Sequence, residues 1–179
     1  KFQMFTDYEK TDLDYFSTIS KKVMDEFFIN DKTKDHWLKN GLKSYLEIQY
    51  LKQNYPDHKL IGNLADNANI FGIKPLKIFH ASKLKLSERY GLAYHYIYTQ
   101  NLDQKITTPF YKLSNFNTTA ISQFETGSLL NYISEYQGND SFDAFLKQYF
   151  SENYKSKIVG DDFLKNLENH SNGKSTFLK

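Results

Sequence analysis

Histidine and carboxylate side chains are the residues of this chain that could hold a metal ion or transfer protons. No two histidines are three or four positions apart, so no pair lies on one helix face in the way that a helical zinc site needs. We therefore expect each histidine to lie at the surface or to be hydrogen-bonded in the core. The five histidines are His36, His58, His80, His95 and His170.

Two adjacent acidic pairs could take part in acid/base catalysis: Asp25 with Glu26, and Asp161 with Asp162. Both pairs are better explained as solvated or capping residues of helices. The sequence contains no cysteine, which excludes disulfide bonds and thiolate metal sites. These residue types on their own therefore indicate neither a catalytic nor a metal centre.

Length and composition favour one folded domain. The 179 residues are enough to bury a core, and 15 phenylalanines and 14 tyrosines supply much of its area. Only one of the 23 basic residues is an arginine, Arg89, so nucleic-acid binding is not expected. No apolar run approaches the roughly 18 residues of a membrane span. Because the sequence begins at Lys1, we expect residues 1–179 to be a C-terminal piece of a longer protein.

The chain must position these residues on helices, and the first predicted helix runs from Asp12 to about Ile29. Thr11 or Asp12 is its expected cap. Apolar residues recur in it at spacings of three and four, which is typical of an amphipathic helix. The residues expected on its inner face are Leu13, Phe16, Ile19, Val23 and Phe27.

A second helix is predicted to begin at His36 or Trp37, after Asp35 as its cap, and to continue to about Asn54. Pro56 ends it because proline cannot continue the hydrogen-bond ladder. Two helices joined by so short a loop are expected to pack as neighbours.

Further helices are predicted at about residues 87–101, 117–137, 142–150 and 160–167. The helix at residues 87–101 is expected to bury Leu92, Tyr96 and Tyr98. The helix at residues 117–137 is expected to end at Gly138 as a glycine C-cap. Its expected inner face consists of Ile121, Phe124, Ser128, Leu129 and Tyr132. No segment alternates as a strand does, so the fold class is mainly α, with about five to seven helices.

Residues 36–47 carry a more specific pattern, HWLKNGLKSYLE. It resembles the helix with the third zinc ligand in gluzincin aminopeptidases of the aminopeptidase N type, which reads roughly W-L-N-E-G-L/F-A-T/S-Y-L-E. Residues 123–130, QFETGSLL, resemble the Y-E-K-G-A-x-x-L helix of that family. Residues 138–142, GNDSF, and 160–164, GDDFL, resemble its L-G-D-E-A-F and T-x-x-D-F-L segments. The resemblance implies the helical half of a thermolysin-like catalytic domain, and it favours an extracytoplasmic location.

The family's chemistry uses a zinc ion held by an H-E-x-x-H motif and a glutamate of the next helix. In this resemblance the ligand positions are Ser17, Lys21 and Asn40, and the general-base position is Thr18. The position of the tyrosine that stabilises the oxyanion is Phe124, which lacks the hydroxyl group. None of these side chains can perform the family's role, so we expect no zinc, no other cofactor and no catalysis by this chain.

Three hypotheses follow. The first is a non-catalytic metallopeptidase-like domain that retains a vestigial cleft at Ser17, Lys21, Asn40 and Phe124, with a scaffold role or a peptide or protein as partner. The second is part of an active zinc peptidase whose metal ligands come from a missing segment. The third is a helical interaction domain unrelated to peptidases, which predicts that the first two helices are not paired side by side as the family's metal helices are.

Overall fold

The computed structural model describes residues 6–30, 35–78 and 81–171, and most of them lie in helices. The first helix, α1, is Asp7–Phe27 and begins five residues before the predicted start. The cause is a capping box: the Thr6 hydroxyl accepts from the Glu9 amide at 3.2 Å, and the Glu9 carboxylate accepts from the Thr6 amide at 2.7 Å.

The inner face of α1 also differs from the prediction. Ser20 and Met24 are buried, whereas Ile19 and Val23 are 40% and 36% exposed. The buried face is therefore rotated by about one residue. A serine occupies the middle of this face, and apolar periodicity alone does not indicate it.

Helix α2, His36–Asn54, has the predicted bounds and lies at the centre of the fold. It runs antiparallel to α1, because Asp12 near the start of α1 accepts hydrogen bonds from Tyr50 at 2.7 Å and Tyr55 at 2.6 Å near the end of α2. At the other end, Lys39 forms an ion pair with Asp25. These contacts place α1 alongside α2 over most of its length.

Short elements follow: α3, Leu64–Asn67, and α4, Pro75–Ile78. Two 3₁₀ turns at Ala81–Lys83 and Leu86–Glu88 lead into α5, Arg89–Thr99. The predicted inner face of α5 is wrong. Tyr90 and Ile97 are buried, whereas the side chains of Leu92, Tyr96 and Tyr98 are exposed. The segment is apolar or aromatic at almost every position, so its periodicity does not identify a face.

A 3₁₀ turn, Phe110–Lys112, precedes a long helix with an irregular middle. This helix consists of α6, Asn115–Thr119, a π-helical segment, Ala120–Glu125, and α7, Thr126–Gln137. A π-helical turn takes up one residue more than an α-helical turn, so it rotates the face of everything that follows. The buried residues of α7 are therefore Thr126, Gly127, Leu130, Ile133 and Ser134, and not the predicted Ser128, Leu129 and Tyr132.

Gly138, with φ of 94°, ends α7 as the predicted glycine C-cap. It is followed by α8, Asn139–Glu152, and α9, Gly160–His170. Two short parallel strands, β1 at Ile29–Asn30 and β2 at Lys157–Ile158, join the α1–α2 connection to the start of α9. The core cluster draws side chains from α1, α2, α7, α8 and α9, among them Met24, Trp37, Leu42, Tyr45, Leu130, Ile133, Phe142, Phe145, Phe163 and Leu167.

Helices α2 and α7 run parallel and approach closely at two glycines. A Cβ atom on Gly41 would lie 2.2 Å from Thr126 Cγ2, and a Cβ atom on Gly127 would lie 2.5 Å from Ser44 Cβ. Real Cβ atoms do not approach other atoms so closely, since cores are already close-packed. The two glycines and the small residues opposite them therefore set the distance between the helices.

Candidate functional site

Two adjoining cavities lie along α2 on the side that faces α1. The first cavity has a volume of about 600 Å³ and lies between α1, α2, α5 and the π-helical segment. The second cavity, of about 420 Å³, lies nearer the start of α2, where Phe110 forms part of its wall. Lys43 and Gln123 line both cavities, so the two volumes meet at these side chains.

The structure divides the predicted cleft positions between the two cavities. Ser17 and Phe124 line the first cavity, and Lys21 and Asn40 line the second. Thr18 lines neither; its exposed hydroxyl donates to the Asp14 carbonyl oxygen of its own helix at 2.8 Å. Four of the five positions thus border adjoining cavities, and the general-base position faces away from them.

The three positions that the resemblance assigns to zinc ligands do not fit that ion. They offer a hydroxyl at Ser17, an ammonium at Lys21 and an amide at Asn40, and Ser17 borders a different cavity from the other two. Zinc prefers imidazole, thiolate and carboxylate donors, and an ammonium group repels it. Across the described ranges, no group of three or more histidine, cysteine or carboxylate side chains could hold a metal ion.

A charged cluster that sequence reasoning missed lines the first cavity around Glu47, which is buried. The Tyr90 hydroxyl donates to Glu47 Oε2, and Lys43 Nζ lies 3.3 Å from Glu47 Oε1. Arg89 donates to the Tyr90 hydroxyl at 2.6 Å and lies 3.9 Å from the carboxylate. A buried carboxylate needs this compensation, since an unpaired buried charge is costly. The spacing of four between Lys43 and Glu47 was the signal available in the sequence.

His36 lines the second cavity and contradicts the expectation for the histidines. It is only 6% exposed, and neither ring nitrogen has a hydrogen-bond partner among the described residues. Its ring lies edge-on to Phe110 with 5.4 Å between centroids. Burial lowers the pKa of His36, and the Asp35 carboxylate acts in the opposite direction. The neutral imidazole is therefore favoured, with one donor and one acceptor nitrogen.

Among the described side chains that line the second cavity, lysines outnumber carboxylates. Three lysines, Lys21, Lys39 and Lys43, line the second cavity together with one carboxylate, Asp25. Lys39 is paired with Asp25 and Lys43 with Glu47, whereas Lys21 has no ion-pair partner in the described part of the chain.

The π-helical segment forms part of the wall of both cavities. It presents Gln123 to both and Phe124 to the first, where the Phe124 ring packs on Tyr90 with 5.6 Å between centroids. The Thr126 hydroxyl donates to the Ile121 carbonyl oxygen, five residues back, at 2.9 Å. Single π-helical turns inside α-helices occur frequently at functional sites.

Glu125 ends this segment and faces away from the two cavities, toward Tyr94 of α5. Burial raises the pKa of Glu125 to about 7, and the hydrogen bond with Tyr94 acts against this rise. Its Oε2 atom is buried without a partner among the residues described. Burial also raises the pKa of the Tyr94 hydroxyl, with the Glu125 carboxylate as the second cause.

Every helix in the described part of the chain is too short or too polar to cross a membrane. No protein-family model matches the chain, and comparisons with curated proteins and with solved structures also found no match.

Proposed function

We propose that this chain is a non-catalytic, metallopeptidase-like domain that binds a peptide segment in the two cavities beside α2. The observation that carries the proposal is the placement of four resemblance positions, Ser17, Lys21, Asn40 and Phe124, along these adjoining cavities. Their side chains are polar, cationic or aromatic, which suits recognition of a peptide. They supply neither a zinc site nor a general base.

Two features of the packing support the thermolysin-like relationship. Helix α1 lies alongside α2, as the resemblance requires of the two helices that carry the family's metal site. Two motif glycines, Gly41 and Gly127, lie at contacts too close for a Cβ atom. These glycines thus have a packing role that does not depend on metal chemistry.

The cavities have the dimensions and lining of a binding site. Their volumes of about 600 and 420 Å³ fall within the roughly 300–1,000 Å³ that is typical of ligand pockets. Apolar walls at Leu13, Phe16 and Phe124 adjoin the charged cluster at Glu47 in the first cavity. A peptide can bury apolar side chains against such walls while its backbone meets the polar groups.

Peptide binding can be tested with an array of random dodecapeptides probed with the labelled chain, followed by fluorescence anisotropy on the best sequences. Ser17→Trp fills the first cavity and is expected to weaken binding at least about tenfold, the effect of about 1.4 kcal/mol. Thr18→Trp is the matched control on the neighbouring exposed position, and it should bind as the native chain does. Equal binding by both variants, or no peptide bound at all, would contradict the proposal.

Catalysis is tested separately with fluorogenic aminoacyl amides, with and without added zinc. We expect no hydrolysis above the rate of a buffer control. Zinc-dependent hydrolysis that a chelator abolishes would show an active peptidase and would overturn the non-catalytic part of the proposal.

A further inference from the structure

We infer that the second cavity binds a carboxylate group that is attached to an apolar group. This inference rests on the proposed binding function and specifies the chemistry that one of its two cavities recognises. It starts from His36, whose two ring nitrogens are buried without a partner among the described residues. Buried polar groups are almost always hydrogen-bonded, and an unmade hydrogen bond costs free energy. A bound carboxylate would accept a hydrogen bond from the protonated one of these two nitrogens.

Phe110 controls access to the imidazole. Its ring packs edge-on against His36 and is itself 49% exposed, in a short 3₁₀ turn at the rim of the cavity. In the proposed complex this partly exposed ring moves aside, and the ligand contacts a His36 nitrogen.

The charge of the cavity selects an anion. Three lysines and a single carboxylate line it, and Lys21 is the lysine with no ion-pair partner in the described part of the chain. An excess of one sign of charge in a cleft attracts ligands of the opposite sign. The neutral imidazole adds one N–H donor for the anion.

The remaining walls select the rest of the ligand. Met24 and Phe110 give the cavity an apolar side, and the Asn40 amide donates a long hydrogen bond of 3.3 Å to Ser122. One ammonium group that is unpaired among the described residues and one imidazole N–H can balance a single negative charge better than the double charge of a phosphate. A carboxylate joined to an aromatic or aliphatic group therefore fits better than a phosphate. Two sources have this chemistry: the carboxyl terminus of a peptide that ends in an apolar residue, and a free organic acid.

The test uses isothermal titration calorimetry on the full chain with three probes: 3-phenylpropanoate, the peptide acetyl-Ala-Ala-Phe with a free carboxyl terminus, and the same peptide as its amide. We expect the acid peptide to bind at least about tenfold more tightly than the amide, the effect of one charge-assisted hydrogen bond. Binding of phenylpropanoate alone would identify a free acid as the ligand and would count against a peptide.

Two variants locate the site. His36→Leu removes both unpartnered nitrogens while keeping an apolar side chain, so it should weaken acid binding about tenfold without loss of folding stability. Lys21→Met should weaken it about threefold to tenfold, and Lys22→Met, at the next exposed position outside both cavities, is the matched control.

Equal binding of the acid and amide peptides would overturn this inference and leave the proposed peptide-binding function standing. Acid binding that is unchanged in both His36→Leu and Lys21→Met would overturn it as well, because the carboxylate would then lie elsewhere. If none of the three probes binds, the carboxylate inference fails, and the peptide array decides the proposed function independently.

Discussion

The two sides of α2 differ in how much space they leave. Toward α7, a single added carbon on Gly41 would lie 2.2 Å from a neighbouring side chain. Toward α1, two cavities of about 600 and 420 Å³ remain, bordered by lysines, a histidine with no hydrogen-bond partner among the described residues, and a glutamate paired with Lys43. One helix thus has a rigid side that fixes the fold and a looser, charged side that is available to a ligand. Substitutions on the two sides should therefore have different consequences.

The largest effect is expected on the rigid side. Gly127→Ala places a methyl group against Ser44 and should lower the free energy of unfolding by about 2 to 3 kcal/mol, because overpacking outweighs the gain in helix propensity. Gly91→Ala is the matched control in α5, where the nearest atom would be Ser128 Oγ at 3.8 Å; it should stabilise the chain by about 0.5 to 1 kcal/mol. Urea unfolding followed by circular dichroism measures both. Equal changes in the free energy of unfolding for Gly127→Ala and Gly91→Ala would contradict the proposed rigidity of the α7 side of α2.

The next effect is expected in the charged cluster of the first cavity. Tyr90→Phe removes the hydroxyl that donates to Glu47 and should cost about 2 kcal/mol, because the buried carboxylate loses a hydrogen bond. Tyr50→Phe is the control, since Asp12 is less buried and keeps its bond from Tyr55. Urea unfolding should show a smaller loss for the control. A loss for Tyr90→Phe that is no larger than the loss for Tyr50→Phe would contradict this prediction.

A pH-dependent effect is expected at Glu125. Its pKa is raised from 4.5 to about 7, so the folded chain binds more protons than the unfolded chain between these values. The free energy of unfolding should therefore fall as pH rises across this interval. At about pH 8, Glu125→Gln should be more stable than the native chain by about 1 to 2 kcal/mol after a discount for solvent screening.

At about pH 5 the same two proteins should be nearly equal in stability, because the native carboxyl is then largely protonated. Glu152→Gln, at an exposed position of α8, is the control and should leave the native pH dependence unchanged. Denaturant unfolding at a series of pH values measures all three. A native stability that rises between these pH values while that of Glu125→Gln does not would contradict the raised pKa.

The smallest effect is expected at the ion pair between α1 and α2. Asp25→Asn removes the partner of Lys39, and since the Asp25 side chain is 48% exposed the cost should stay below about 1 kcal/mol. The difference should shrink further in high salt, because salt screens exposed charges. Asp14→Asn, another exposed position of α1, is the control. A loss that equals the one for Gly127→Ala would show that both sides of α2 fix the fold.

Much of the helical framework could be predicted from the sequence. The bounds of α2 and the glycine C-cap at Gly138 are confirmed, because a proline stop and a glycine with positive φ are local signals. The inner face of α7 could not be predicted, since a π-helical turn has no sequence signature of its own and rotates every later residue. The start of α1 was missed although Thr6 and Glu9 have the spacing of a capping box.

For the candidate site, the sequence identified positions that border the cavities, but it did not identify the buried histidine and the charged cluster beside them. The motif resemblance pointed to Ser17, Lys21, Asn40 and Phe124, which border adjoining cavities. It did not point to His36, whose ring lies against Phe110, 74 positions away in the chain. Contacts over such separations depend on tertiary packing, and the spacing of residues within one helix carries no information about them.

The contact between the α1–α2 connection and α9 has a consequence for biosynthesis. Gly160 donates its amide to Asp35 at 2.9 Å, lies against Trp37, and follows the strand that pairs with β1. This closure joins residues 125 positions apart, and long loops form slowly because their closure costs entropy. In a chain that is still emerging from the ribosome, Trp37 therefore lacks its contact with Gly160 until Gly160 has been synthesised and released from the exit tunnel.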